Sequence, residues 1–117
     1  MSANAKFQQY TEQTDEVAVY PGAGTGLTPD ISYLGLGLAG ETGEAIDVIK
    51  KIVRDGPNVD PEVREERIRK LQAEFGDIMW YYCRLMRVFG FKIDDVLDMN
   101  INKLMERKAK NELKVHE

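Results

Sequence analysis

The chain has 117 residues, 43% of them apolar, which is enough for one buried core and is read as a single domain over 1–117. Sixteen basic residues against 20 acidic ones give a formal charge of −4 with no long run of one sign, so no nucleic-acid partner is expected. One cysteine, Cys83, and one histidine, His116, exclude a disulfide framework, a zinc cluster and Cys/His or Ser/His catalysis, leaving oxygen and ammonium groups to do any chemistry.

The opening "MSANAKFQQYTEQ" has no apolar signal core, and nowhere do about 18 uncharged apolar residues run together, so a cytoplasmic protein without membrane contact is expected. Phe7, Tyr10 and Val17, three and seven residues apart, predict a first amphipathic helix over about 2–16. "VAVYPGAGTGLTPD" follows. Its "GAGTG" lacks the Lys-Ser/Thr of a P-loop and has no strand before it, so it reads as a plain connection or a substrate lid.

Thr28 as N-cap, Pro29 as first helical residue and Gly56-Pro57 as stop predict a second helix over about 29–54. Leu34, Leu38, Glu41, Ala45, Val48 and Ile52 form its core-facing stripe, with Glu41 inside the stripe and Glu44 beside it. Asp60-Pro61 opens a third helix that runs to the Gly90 stop. There "EFGDIMWYYC" sets Glu74 and Asp77 into an apolar run, so Asp77 is expected to be partly buried. The fourth helix spans about 93–113, with Ile93, Leu97, Asn100 and Leu104 as its stripe and Lys103 and Arg107 on the same side as the polar intruder Asn100. No strand pattern or repeat is present, and long helices with short connections predict an all-α antiparallel bundle of about four helices.

The two acid pairs should meet. Glu44 lies about 10 residues, roughly 15 Å, before the end of its helix, and Glu74 about 13 residues, roughly 20 Å, after the start of the next. Four carboxylates in one partly buried site repel each other and require a cation, and with no Cys or His at hand their hard oxygens suit Mg2+, or Mn2+ as a substitute. The pairs Glu12/Asp15, Glu62/Glu65 and Asp95/Asp98 have polar surroundings and read as solvated faces. Gly40, Gly43 and Gly76 flank the acids. Each costs about 1 kcal/mol in a helix interior, and the missing side chains admit either a neighbouring helix or a hydrated metal–phosphate. Lys51, two turns beyond Glu44, joins Asn100, Lys103 and Arg107 as the candidate phosphate donors.

"LGLAGETGEAIDVIKKIVRDG", "EFGDIMWY" and "NINKLMERK" together resemble the MazG-like all-α nucleoside triphosphate pyrophosphohydrolases, whose signature is Glu-x-x-Glu followed by Glu-x-x-Asp. The likeness covers most of the chain, including the "YPG" approach to the second helix. It implies that Glu41, Glu44, Glu74 and Asp77 bind magnesium and carry catalysis, and that Asn100, Lys103 and Arg107 contact phosphate or substrate. It also implies that a (deoxy)nucleoside triphosphate is split between its α and β phosphates into monophosphate and pyrophosphate. Two features depart from the pattern: a long spacer between the acid pairs, and Lys108-Ala109-Lys110 where relatives place an aromatic residue and proline.

Met79, Trp80, Tyr81, Tyr82, Leu85, Met86 and Phe89 occupy more than one face of the third helix, and the family points the same way, so a homodimer or homotetramer that completes or buttresses the site is expected. The competing reading is a non-catalytic helical interaction module. A di-iron bundle is excluded, since its Glu-x-x-His pairs are missing.

Overall fold

The computed structural model describes residues 3–111 and consists of four helices, α1 (Ala3–Val17), α2 (Thr28–Asp55), α3 (Pro61–Val88) and α4 (Ile93–Ala109). No strand occurs among the described residues, and no helix there is long and apolar enough to cross a membrane. The all-α class and the helix count are as expected. The expected helix ends at residues 2 and 113, and His116, lie outside the described residues.

The α2–α3 hairpin is the frame of the molecule. α2 stops because Gly56 takes φ +59°, with its N–H bonded to Ile52 O at 3.0 Å. α3 starts because Asp60 Oδ1 accepts from Glu62 N at 2.9 Å, with Pro61 at the first helical position. Arg67 then clasps the two helices, lying 2.7 Å from Asp55 Oδ2 and donating to Lys51 O at 3.3 Å. Hydrogen bonds from Arg54 and then Arg67 hold the Asp55 carboxyl well below the usual carboxylate range. Leu34, Ala45 and Val48 are buried on the face of α2 that carries the expected stripe.

α1 crosses α3 through a polar strap. Arg84, 3% exposed, donates to Thr14 Oγ1 at 3.2 Å and pairs with Asp15, which also accepts from Arg87 Nη2 at 2.5 Å. A buried guanidinium is tolerated only when paired, so the strap fixes where α1 can lie. Two expectations are corrected here. Val17, read as part of the buried face of α1, is 60% exposed, and Thr14 is buried in its place. Asp15, read with Glu12 as a solvated pair, is the anchor of α1.

A third correction concerns the start of α2. The N-cap is Leu27, with no side-chain cap, and Thr28 is already helical. Asp30, fully buried, reaches back past the helix start instead, accepting from Gly26 N at 3.0 Å and taking Tyr20 Oη at 2.5 Å on its other oxygen. The glycine-rich loop is thereby folded onto the head of α2.

α3 ends at Val88, and Gly90 at φ +73° turns the chain into α4. α4 packs against α1. Its Leu97, Met99, Ile101 and Met105 are 47%, 76%, 50% and 57% exposed, so Leu97, expected in the buried stripe, is half open. The radius of gyration, 17.6 Å, against about 13 Å for a compact chain of this length, shows how far the helices splay.

Candidate active site

Glu41 sits at the centre of the α2 face that packs on α3, and Glu74 faces it from α3, where it is 8% exposed. With the exposed Glu44 one turn on, one carboxylate oxygen from each of the three lies within 4.8 Å of the other two. Glu41 Oε2 and Glu74 Oε2 are buried with no hydrogen-bond partner. The facing Glu74 carboxyl, burial, and the charges of Glu44 and Asp77 push the Glu41 carboxyl up to about 7. The bare cluster therefore holds a proton near neutrality.

Asp77 corrects an expectation. It is exposed, and it stands outside the three-oxygen group. α2 covers the side of α3 that carries Glu74, α1 covers the side that carries Cys83 and Arg84, and Asp77 falls at the edge between them. From there its charge reaches both walls. It helps to raise Glu41 on α2 and, after burial and Cys83, Tyr10 on α1.

The other expected donors are not gathered at the acids. Lys51 Nζ lies 3.0 Å from Asp47, which it shares with Lys50 at 3.1 Å, and these two lysines hold the exposed Asp47 carboxyl low. Asn100 and Lys103 line a groove of about 640 Å³ with Tyr82, Met86 and Phe89, between the end of α3 and α4. Arg107 is half-buried farther along α4.

The glycines separate. A Cβ at Gly37 would fall 2.1 Å from Tyr81 Cε1, so this position is glycine because the Tyr81 ring crosses α2 one turn before Glu41. Among the described residues nothing beyond the helix's own backbone lies within 4 Å of such a Cβ at Gly40, Gly43 or Gly76, so close packing by those residues is not the reason for these glycines.

An aromatic cluster adjoins the carboxylates. Tyr20 and Tyr33 stack at 4.2 Å with 5° between their planes, Trp80 meets Tyr20 edge-on at 6.3 Å and Tyr81 at 5.1 Å, and Tyr81 lies 6.4 Å from Tyr33. Burial and the bond to Asp30 push the Tyr20 hydroxyl up to about 12. Trp80 Nε1 is buried without an acceptor. Sequence reasoning assigned Tyr20, Asp30, Tyr33 and Arg84 no role. The available signal was Tyr33, Gly37 and Glu41 at steps of four on one helix side, and two arginines inside the apolar run "WYYCRLMRVF".

Residues 31–111 match the family described as the MazG nucleotide pyrophosphohydrolase domain. The Gene 37 protein of Mycobacterium phage L5 is 39% identical over 100 residues, 85% of this chain and 85% of its own length. No solved structure matches. The match includes both acid pairs and the α4 donors, and it begins after α1 and the glycine-rich loop.

Proposed function

We propose, for a chain that belongs to the MazG nucleotide pyrophosphohydrolase family, that its carboxylate cluster is a magnesium site at which a (deoxy)nucleoside triphosphate is split into monophosphate and pyrophosphate. The observation that carries this reading is that Glu41 and Glu74 each bury a partnerless carboxylate oxygen, in a group where one carboxylate oxygen from each of Glu41, Glu44 and Glu74 lies within 4.8 Å of the other two. Such atoms are costly unless a cation or a proton meets them, and an all-oxygen donor set fits magnesium or manganese. Glu41, Glu44 and Glu74 would hold the ion, with Asp77 at the rim.

Bound there, the ion supplies charge neutralisation for the phosphates and a more acidic water for in-line attack on the α-phosphorus. The protein's own residues set the rest. Glu41 gives up its proton as the cluster becomes fully charged, and Glu74, held by packing between α2 and α3, fixes the position around which the others close. Lys103 and Arg107, with Asn100, are the donors proposed for the departing pyrophosphate, and Lys51 for the phosphate side beyond Glu44. Since α4 packs on α1 with an apolar face exposed, we take its donors to reach the acids of a second copy in a homodimer or homotetramer. A non-catalytic helical module would have no use for partnerless buried carboxylates.

The test is a panel of common and modified nucleoside triphosphates assayed with and without magnesium, with pyrophosphate and orthophosphate measured separately. Magnesium-dependent pyrophosphate is expected from at least one. Orthophosphate as the first product, or no turnover across the panel, would overturn the reading.

A further inference from the structure

The aromatic cluster has no role in holding a metal or a phosphate, yet it is continuous with the carboxylates. Tyr33, Gly37, Glu41 and Glu44 follow one another along one side of α2, and Tyr81 fills the notch at Gly37 between the ring of Tyr33 and the acids. Eight residues separate Tyr33 from Glu41, about 12 Å of helix rise, the reach of a nucleoside from a metal-held phosphate.

Tyr33 is 43% exposed although it stacks flat on Tyr20, which is 8% exposed, so one face of its ring is backed and the other side of the residue remains open. Tyr20 is itself locked in place. Its hydroxyl donates to Asp30 at 2.5 Å, Asp30 also accepts from Gly26 N, and Trp80 braces the ring edge-on. A rigid ring with an open face is a stacking platform. Half of the platform, Tyr20 and the loop that holds it, lies before the family-matched residues 31–111.

We infer that the Tyr20–Tyr33 stack is the nucleobase platform of this protein: the open face of Tyr33 takes the planar base of a nucleotide whose phosphates lie over Glu41, Glu44 and Glu74. The inference rests on the pyrophosphohydrolase reading and adds the base-binding residues to it. The occupant is a nucleoside phosphate rather than a bare polyphosphate, and the N-terminal segment becomes part of the substrate site through Tyr20.

The experiment compares wild type, Tyr33→Phe and Tyr33→Leu on the best triphosphate of the panel, with thermal melting as the folding control. Tyr33→Leu is expected to raise KM roughly ten- to a hundredfold, the scale of one base–aromatic stack, with a much smaller change in kcat, and Tyr33→Phe is expected to restore most of the loss. A second readout needs no turnover. Emission of Trp80, the single tryptophan, is followed while nucleoside monophosphates or inorganic pyrophosphate are titrated in. A response to a monophosphate that is absent with pyrophosphate and lost in Tyr33→Leu supports the platform. A folded Tyr33→Leu protein with unchanged KM and unchanged response overturns it and leaves the pyrophosphohydrolase reading standing. A wild type that splits no triphosphate overturns the pyrophosphohydrolase reading, and one that also gives no monophosphate response overturns the platform with it.

Discussion

The ring of Tyr81 occupies the place where Gly37 would carry a side chain, with Tyr81 Cε1 2.1 Å from an ideal Cβ. Two opposite effects therefore meet in Gly37→Ala. Alanine favours an exposed helix interior by about 1 kcal/mol, while displacing a packed ring costs about 1–3 kcal/mol. Net destabilisation is expected for Gly37→Ala and net stabilisation for Gly40→Ala, whose Cβ would meet nothing within 4 Å. Urea denaturation of the two variants checks this, and a Gly37→Ala protein more stable than wild type would show that Tyr81 does not cross α2 there.

Glu41 gives the metal-free protein an unusual pH dependence. Its carboxyl is pushed up to about 7 in the fold against 4.5 as an ordinary carboxyl, by the facing Glu74 carboxyl, burial, and the charges of Glu44 and Asp77. The folded state thus binds the proton more tightly than the unfolded chain. The stabilisation is fully present below about 4.5 and is lost as pH rises through about 7. In EDTA, melting temperature should fall between pH 5.5 and 8, and Glu41→Gln should flatten that fall. A wild-type melting temperature that is level or rising over this interval contradicts the buried cluster.

Asp15 works in the other direction. Bonds from Arg87 and Arg84 hold its carboxyl below the usual range, so the stability it lends is present above the ordinary value of 3.8 and is lost as pH falls through the lower folded value. Asp15→Ala leaves the guanidinium of Arg84, 4% exposed, with Thr14 and no carboxylate, for which a loss of about 3 kcal/mol is expected. Glu12→Ala should be near neutral. Equal, small losses for the two would mean that α1 is not held by this strap.

These contrasts show what could be read from the chain. The stripe Leu34, Ala45, Val48 and the caps at Asp60 and Gly56 are local patterns, and they placed α2, α3 and their antiparallel turn within a residue or two. The meeting of Glu41 and Glu44 with Glu74 followed from helix rise alone. What escaped depends on partners distant in sequence. Asp15 looked solvated because its cations lie 69 and 72 residues away, at Arg84 and Arg87. Tyr20 and Asp30 looked like loop and first-turn residues because their bond closes a glycine-rich segment without a recognisable motif. Asp77 was expected to be partly buried because its sequence neighbours are apolar, whereas exposure is decided by which sides of α3 the other helices cover.

α4 carries the prediction about assembly. Met99 at 76% exposure, with Ile101 and Met105 each at least half exposed, presents an apolar face that a single copy does not cover. Sedimentation at micromolar concentration should show a dimer or tetramer, and Met99→Glu should shift it toward monomer. If α4 delivers Lys103 to a second copy, activity should fall together with the assembly. A monomeric wild type with full activity would refute the arrangement.

Asp77 tests the site most directly, because it is exposed and yet raises Glu41. Asp77→Asn keeps the shape of the side chain and removes one negative charge, so the melting temperature in EDTA should stay level or rise as repulsion is relieved. Wild type should gain thermal stability on addition of magnesium, since an ion that binds only the folded state stabilises it, and Asp77→Asn should gain less. Activity should fall by at least about a hundredfold, the scale of losing one stabilising group at the reacting centre. Glu62→Gln, on an exposed first turn of α3, should follow wild type in all three measurements. Full activity and an undiminished magnesium shift in Asp77→Asn would restrict the site to the three glutamates. Unfolding of Asp77→Asn, with activity intact in Glu41→Gln, would make the acids structural and end the metal-site reading.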